Sequence, residues 1–116
     1  MAGQQVVLVT GASSGIGSAV AEHLAGRGHR VFGAQRRVPA QGAAGVEMLA
    51  MDVTEEASVR RAVAALVERA GRVDAVVNNA GNALMGAVED TSLEEAQAQL
   101  DTNFFGVLRC VAPCCR

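Results

Sequence analysis

Gln5-Val-Val-Leu-Val-Thr10 runs directly into Gly11-Ala-Ser-Ser-Gly15-Ile-Gly17, and this junction decides the fold. The first six residues form a short, largely β-branched run, the pattern of a strand buried on both faces. Behind the glycines, Ile16, Val20 and Leu24 recur every fourth residue, which predicts a helical stripe stopped by Gly26 and Gly28. Glycine supplies the positive φ of a tight strand-to-helix turn and lets an anion approach backbone N–H groups without meeting a Cβ. Three glycines with Ser13 and Ser14 in so short a turn predict a phosphate cradle; the plainer reading is a tight turn that binds nothing.

The pattern repeats outward. Arg30–Ala34 (RVFGA) predicts a second strand, Pro39–Gly45 a loop and Val46–Met51 (VEMLAM) a third strand ending at Asp52. Thr54 is placed to cap a helix with Glu55 and Glu56 in its first turn, where the helix dipole favours negative charge. Val59, Val63, Leu66 and Ala70 mark its inner face, and Gly71 its end. Val73–Val77 (VDAVV) predicts a fourth strand, followed by Asn78-Asn79-Ala80-Gly81. Ser92 and Glu95 have capping-box spacing before a last helix, with Leu93, Leu100, Phe104 and Val107 among its apolar positions. Strands alternating with helices, joined by connections too long for hairpins, specify a parallel α/β sheet with helices on its faces. All 116 residues form one unit without repeat, linker or low-complexity tract.

Composition narrows the chemistry. All ten basic residues are Arg, and neither Lys nor Tyr occurs. That excludes a P-loop lysine, a Schiff base and a phenolic acid within this chain. A net charge of −2 gives no electrostatic case for nucleic acid or an anionic membrane. No run approaches the ~18 apolar residues of a membrane span, and Met1-Ala-Gly-Gln-Gln5 lacks the basic start of a signal peptide. Cys110, Cys114 and Cys115 crowd one end of the chain, which predicts free thiols and a cytoplasmic location rather than a disulfide framework. With no His or second Cys pair nearby, they do not predict a metal site.

Thr10-Gly-Ala-Ser-Ser-Gly-Ile-Gly17 resembles the Thr-Gly-x3-Gly-x-Gly cofactor motif of the short-chain dehydrogenases/reductases. Asp52-Val53 is similar to that family's acidic position after the third strand, and Asn78-Asn79-Ala80-Gly81 to its Asn-Asn-Ala-Gly motif. Asn103 stands where the family has the helix asparagine of its catalytic tetrad. The four matches keep the family's order and span almost the whole chain. An adenosyl or flavin binder of similar architecture would not require the last two.

The resemblance implies a Rossmann-like, doubly wound parallel sheet, here truncated to four strands in the order 3-2-1-4. It implies cofactor contacts from Gly11, Ser13, Ser14, Gly15, Ile16, Gly17, Asp52, Val53, Asn79, Ala80 and Gly81. Asp52 would accept hydrogen bonds from the adenine amine, Asn78 would support the site by bonding backbone across the sheet, and Asn103 would hold a proton-relay water. Taken alone, Asp52 is equally a solvated cap beside Thr54, Asn79 and Ala80 are ordinary turn residues, and Asn103 is an exposed helix asparagine.

Some twenty residues beyond the glycines, dinucleotide folds that select NAD place an acid on the ribose 2′-OH, whereas a basic residue accommodates the 2′-phosphate of NADP. Counting from Gly17 reaches Gln35, Arg36 and Arg37, with no acid between Glu22 and Glu47. NADP(H) is therefore expected over NAD(H), held by Arg36 first and Arg37 second, two side chains that are otherwise simply solvated. Ser14 stands where many NADP-preferring members carry a basic residue.

The family transfers hydride between the nicotinamide and an alcohol or ketone, using a Ser and a Tyr-x-x-x-Lys segment in a domain about twice this length. The 116 residues correspond to its cofactor-binding part, and the chain itself is expected to be inactive. Two functions follow: part of an oxidoreductase for small apolar alcohols or carbonyls, a homo-oligomer when entire, or a non-catalytic dinucleotide-binding module. Pro113 is expected to end the last helix abruptly, leaving an apolar face with Phe104, Phe105 and Val107.

Overall fold

The computed structural model describes residues 3–12, 15–38, 44–81 and 92–114. Its strands are β1 (Val6–Thr10), β2 (Arg30–Gln35), β3 (Val46–Ala50) and β4 (Ala75–Val77). The helices are α1 (Gly15–Gly26), α2 (Glu56–Ala70), α3 (Leu93–Leu100) and α4 (Gly106–Cys114), with a π-helical turn over Asp101–Phe105 between the last two. The strands form one parallel sheet in the order β3-β2-β1-β4, the order that the family resemblance implies.

β1 shows why this order is stable. All five of its residues are buried, because it lies between β2 and β4 and is covered on both faces. Strand side chains alternate between faces. Val6 and Leu8 therefore join Phe32, Leu49, Val59, Val63, Leu66 and Cys110 on the α2 and α4 side. Val7 and Val9 join Ala12, Ala21 and Val31 on the α1 side, with Val20 and Leu24 packed against them. Burying each large apolar side chain contributes about 1.5–3 kcal/mol.

Ile16 departs from the expected stripe, its side chain being 76% exposed. The face that α1 turns to the sheet is defined by Gly17 and Ala21, both buried. Ile16 sits roughly 100° round the helix from Gly17 and so faces away.

Two expected helix ends also change. Thr54 does not cap α2; Glu55 is the N-cap residue and makes no side-chain cap bond. The Thr54 hydroxyl instead donates to Asp52 Oδ1 at 2.6 Å. Pro113 lies inside α4, which continues to Cys114. The proline removes one N–H from the helix ladder without ending it before Cys114. At the other ends the expectations hold. Gly71 closes α2 at φ +84°, donating its N–H to the Val67 carbonyl, and Ser92 and Glu95 form the capping box of α3.

The predicted single last helix is divided by the π turn, whose Asp101 carbonyl accepts the Gly106 N–H. Leu93, Leu100, Phe104, Phe105 and Leu108 are exposed, while Val107 is half-buried. No helix among the described residues is long and apolar enough to cross a membrane.

Candidate functional site

A cleft of about 310 Å³ opens at the carboxyl ends of all four strands. Gly11 follows β1, Gln35 ends β2 and Arg36 follows it, Met51–Thr54 follow β3 and Asn79–Gly81 follow β4; Thr102 of the π turn completes the wall. Open parallel sheets bind ligands outside their strand ends where the order reverses, which here is between β1 and β4.

The buried side chain of Thr10 ties these two strand ends together. Its Oγ1 accepts the backbone N–H of Asn79 at 3.0 Å and of Ala80 at 2.9 Å. The Asn79 side-chain amide donates to the Gly11 carbonyl at 3.1 Å. Gly11, at φ +66°, donates its N–H to the Ala34 carbonyl of β2. A Cβ at Gly17 would collide with the Gly11 carbonyl oxygen and stand 2.5 Å from the Asn79 amide nitrogen. The glycine turn, β2 and the β4 loop thus meet at a contact that admits no side chain at position 17.

On the opposite wall, Asp52 Oδ1 accepts from the Thr54 N–H at 2.9 Å and from the Thr54 hydroxyl. The Asp52 N–H donates to the Ser58 hydroxyl at 2.9 Å. The Thr54 bonds, side chain first, hold the Asp52 carboxyl below its ordinary range, helped by the charges of Arg36 and Arg109. Both Thr54 bonds fall on Oδ1, so a carboxylate with about four lone-pair sites keeps acceptor capacity.

The residues singled out from the sequence divide into groups. Gly11, Arg36, Asp52, Val53, Asn79, Ala80 and Gly81 all line the cleft. Gly15, Ile16 and Gly17 do not line it; Gly17 is buried against Gly11, and Gly15 has open space where a Cβ would project. Arg37 is exposed and does not line the cleft. Ser13 and Ser14 lie outside the described residues. Asn103 borders the site, its Oδ1 lying 2.8 Å from where a Gly81 Cβ would stand. Asn78 is exposed, and the described bond to backbone across the sheet is made by Asn79, one residue later.

Gln35 and Thr102 also line the cleft, and Arg109 braces its wall, though no spacing in the sequence marks them as a group. Arg109 lies 56 residues from the carbonyl it holds.

The residues present fit a dinucleotide. Gln35 Oε1 is buried and finds no hydrogen-bond partner among the described residues, an acceptor to which a ribose hydroxyl could donate. The first turn of α1 has no acidic residue, so no carboxylate there opposes a phosphate at the positive end of its dipole. Arg36 adds a guanidinium beside Asp52 and Gln35 on the same wall.

This geometry agrees with the comparisons. The family model described as short chain dehydrogenase matches residues 5–116, and the chain belongs to that family. Among curated relatives, the 3-ketodihydrosphingosine reductase of Bacteroides thetaiotaomicron is 45% identical over 104 residues, covering 90% of this chain and 38% of the relative. Among solved structures, actinorhodin polyketide ketoreductase with NADPH superposes at TM-score 0.89 and 34% identity, covering 97% of this chain and 47% of that one. The NADH-dependent reductase A1-R′ complexed with NAD superposes at 0.87 and 29% identity, covering 96% and 51%. The chain therefore spans about half or less of the length of these relatives.

Proposed function

We propose that the cleft holds NADP(H), and that the chain is the cofactor-binding part of an oxidoreductase for small apolar alcohols or carbonyls. The observation that carries this reading is the convergence of Gly11, Arg36, Asp52 and Asn79–Gly81 on one cleft at the strand ends. When bound, the nicotinamide supplies or accepts a hydride. The residues of this chain bind and orient: Gly15 and the α1 N-terminus toward the pyrophosphate, Gln35 and Arg36 toward the adenosine ribose, Asp52 toward the adenine amine. Ser13, Ser14, Ile16, Gly17, Arg37, Val53, Asn79, Ala80 and Gly81 complete the proposed contacts, and Asn103 beside Gly81 is the proposed holder of the relay water.

NADP(H) is favoured over NAD(H) by charge. Arg36 lines the cleft and no acid stands between Glu22 and Glu47, so a 2′-phosphate at the end of β2 meets a cation there, the Asp52 carboxylate standing beyond the end of β3. The similar structures include both an NADPH complex and an NAD complex, so the preference rests on this chain's own residues. Titration of the purified chain with each dinucleotide tests it. NADPH is expected to bind tighter, and Arg36→Asp to reverse the order. NADH binding equal to or tighter than NADPH would overturn the preference.

With no Tyr and no Lys, the 116 residues are expected to oxidise no NADPH with any carbonyl substrate, and measurable turnover would refute this. Phe104 and Phe105, both exposed with rings 5.2 Å apart edge to face, are the proposed seat of homo-oligomer contacts. A cytoplasmic location is proposed from the cysteines, of which Cys110 is a buried free thiol.

A further inference from the structure

We propose that Arg109 is a positioning residue for adenine recognition: by pinning the Val53 carbonyl it sets the direction in which Asp52 presents its carboxylate. The proposal rests on the dinucleotide reading above and adds a residue that does not line the cleft.

The connection runs through one rigid peptide group. Arg109 Nη1 donates to the Val53 carbonyl at 2.9 Å. That carbonyl and the Thr54 N–H belong to the same planar amide, so fixing one fixes the direction of the other. The Thr54 N–H donates to Asp52 Oδ1 at 2.9 Å, and the Thr54 hydroxyl reinforces it at 2.6 Å. The peptide is thus held at its oxygen by Arg109 and at its nitrogen by Asp52.

The guanidinium is itself held from behind. Nη1 also donates to the Asp101 carbonyl at 3.2 Å, and Nη2 pairs with the Asp101 carboxylate. The same junction is closely packed, because a Cβ on Gly106 would stand 2.9 Å from Val53 Cγ2. Arg109 therefore links the π turn, which brings Thr102 to the cleft and Asn103 to Gly81, with the loop that carries Asp52. A planar fork with several donors suits this task; a lysine ammonium is a single point donor on a flexible stem.

If Asp52 reads the exocyclic amine of adenine, a dinucleotide whose adenine is replaced by hypoxanthine must bind less well. Hypoxanthine offers a carbonyl oxygen where adenine offers an amine, and a carboxylate cannot accept from it. The experiment compares NADP⁺ with its hypoxanthine analogue on the 116-residue chain, on Arg109→Ala and on Arg109→Lys, with far-UV circular dichroism of each. Both ligands meet the same folded fraction, so the ratio of their dissociation constants is insensitive to a loss of stability.

The wild-type chain is expected to favour NADP⁺ by about tenfold or more, as for a hydrogen bond to a charged group. Both variants are expected to compress that ratio to within about twofold, chiefly by weakening NADP⁺. Arg109→Lys supplies the measurement should Arg109→Ala fail to fold. Variants that weaken both ligands equally and keep the ratio would overturn the proposal and leave Arg109 a structural brace. A wild-type chain that binds both ligands alike would overturn it by removing the role of Asp52. Binding of neither dinucleotide would refute the cofactor reading itself, and the proposal with it.

Discussion

Thr10→Val separates hydrogen bonding from packing at the centre of the site. The Thr10 side chain is 1% exposed, and Oγ1 receives two backbone N–H groups from the residues after β4. Valine keeps the branched shape and opens no cavity, so the change removes only the acceptor and the long donation from Thr10 Oγ1 to the Val77 carbonyl. An unsatisfied buried polar group costs about 1–3 kcal/mol. The Ala80 N–H loses its acceptor, the Asn79 N–H keeps a bond to the Val77 carbonyl at 3.1 Å and is only weakened, and the added methyl returns a fraction of a kcal/mol. The net expectation is a loss of about 1.5–2 kcal/mol. Thr10→Ser is the control: it keeps the acceptor and gives up one buried methyl, about 1 kcal/mol. Urea unfolding followed by far-UV circular dichroism measures both. With a slope of roughly 1–3 kcal/mol per molar urea, the valine midpoint should fall by about 1 M and the serine midpoint by about half as much. Strand propensity and hydrophobicity predict the reverse order, with valine the better residue. A Thr10→Val chain as stable as Thr10→Ser, or more so, would refute the assignment of Thr10 Oγ1 as the tie between the strand ends.

Three further expectations follow from other positions. Gly17→Ala places a Cβ on the Gly11 carbonyl, a backbone atom that cannot swing aside; it should cost about 1–3 kcal/mol in urea unfolding and abolish NADPH binding in a fluorescence titration. The Asp74 carboxyl lies below its ordinary range because it accepts the Val6 N–H at 2.7 Å and, secondarily, pairs with Arg72. A depressed folded-state pKa contributes stability that is present above the unfolded value, about 3.9, and lost as pH falls through the folded value. Asp74→Asn should therefore be less stable than wild type at pH 7, with the difference closing on acidification; a gap that stays constant down to pH ~2 would refute the assignment. The Cys110 thiol is buried and pushed up to about 11, first by burial and then by Cys114. It should resist iodoacetamide at pH 8 in the folded chain and react in urea, as peptide mass mapping would show.

Much of the architecture was legible because it depends on local patterns. The β-branched run before Gly11 is a strand wherever both faces are covered, and Ser92 with Glu95 closes a capping box using bonds within four residues. The motif residues Gly11, Asp52 and Asn79–Gly81 follow successive parallel strands, and parallel strands bring their carboxyl ends to one side of the sheet. What local patterns could not show was the partner across space. Thr54 has the chemistry of a helix cap but bonds to Asp52, and of the two neighbouring asparagines it is Asn79 that meets Gly11. Ile16 fits a four-residue stripe, yet the close approach of Gly17 to Gly11 turns another face of α1 inward.

The sequence alone therefore determined the α/β alternation, which follows from periodicity and turn chemistry along the chain, while the strand order and the residues gathered at the strand ends came from its resemblance to a family. Only the tertiary structure decided that Gln35 has a buried acceptor without a partner among the described residues, that Asn103 sits in a π turn against Gly81, and that Arg109 holds Val53. Each of these depends on distances between atoms far apart in the chain. Such distances are set by how the helices pack on the sheet, and no spacing along the chain records them.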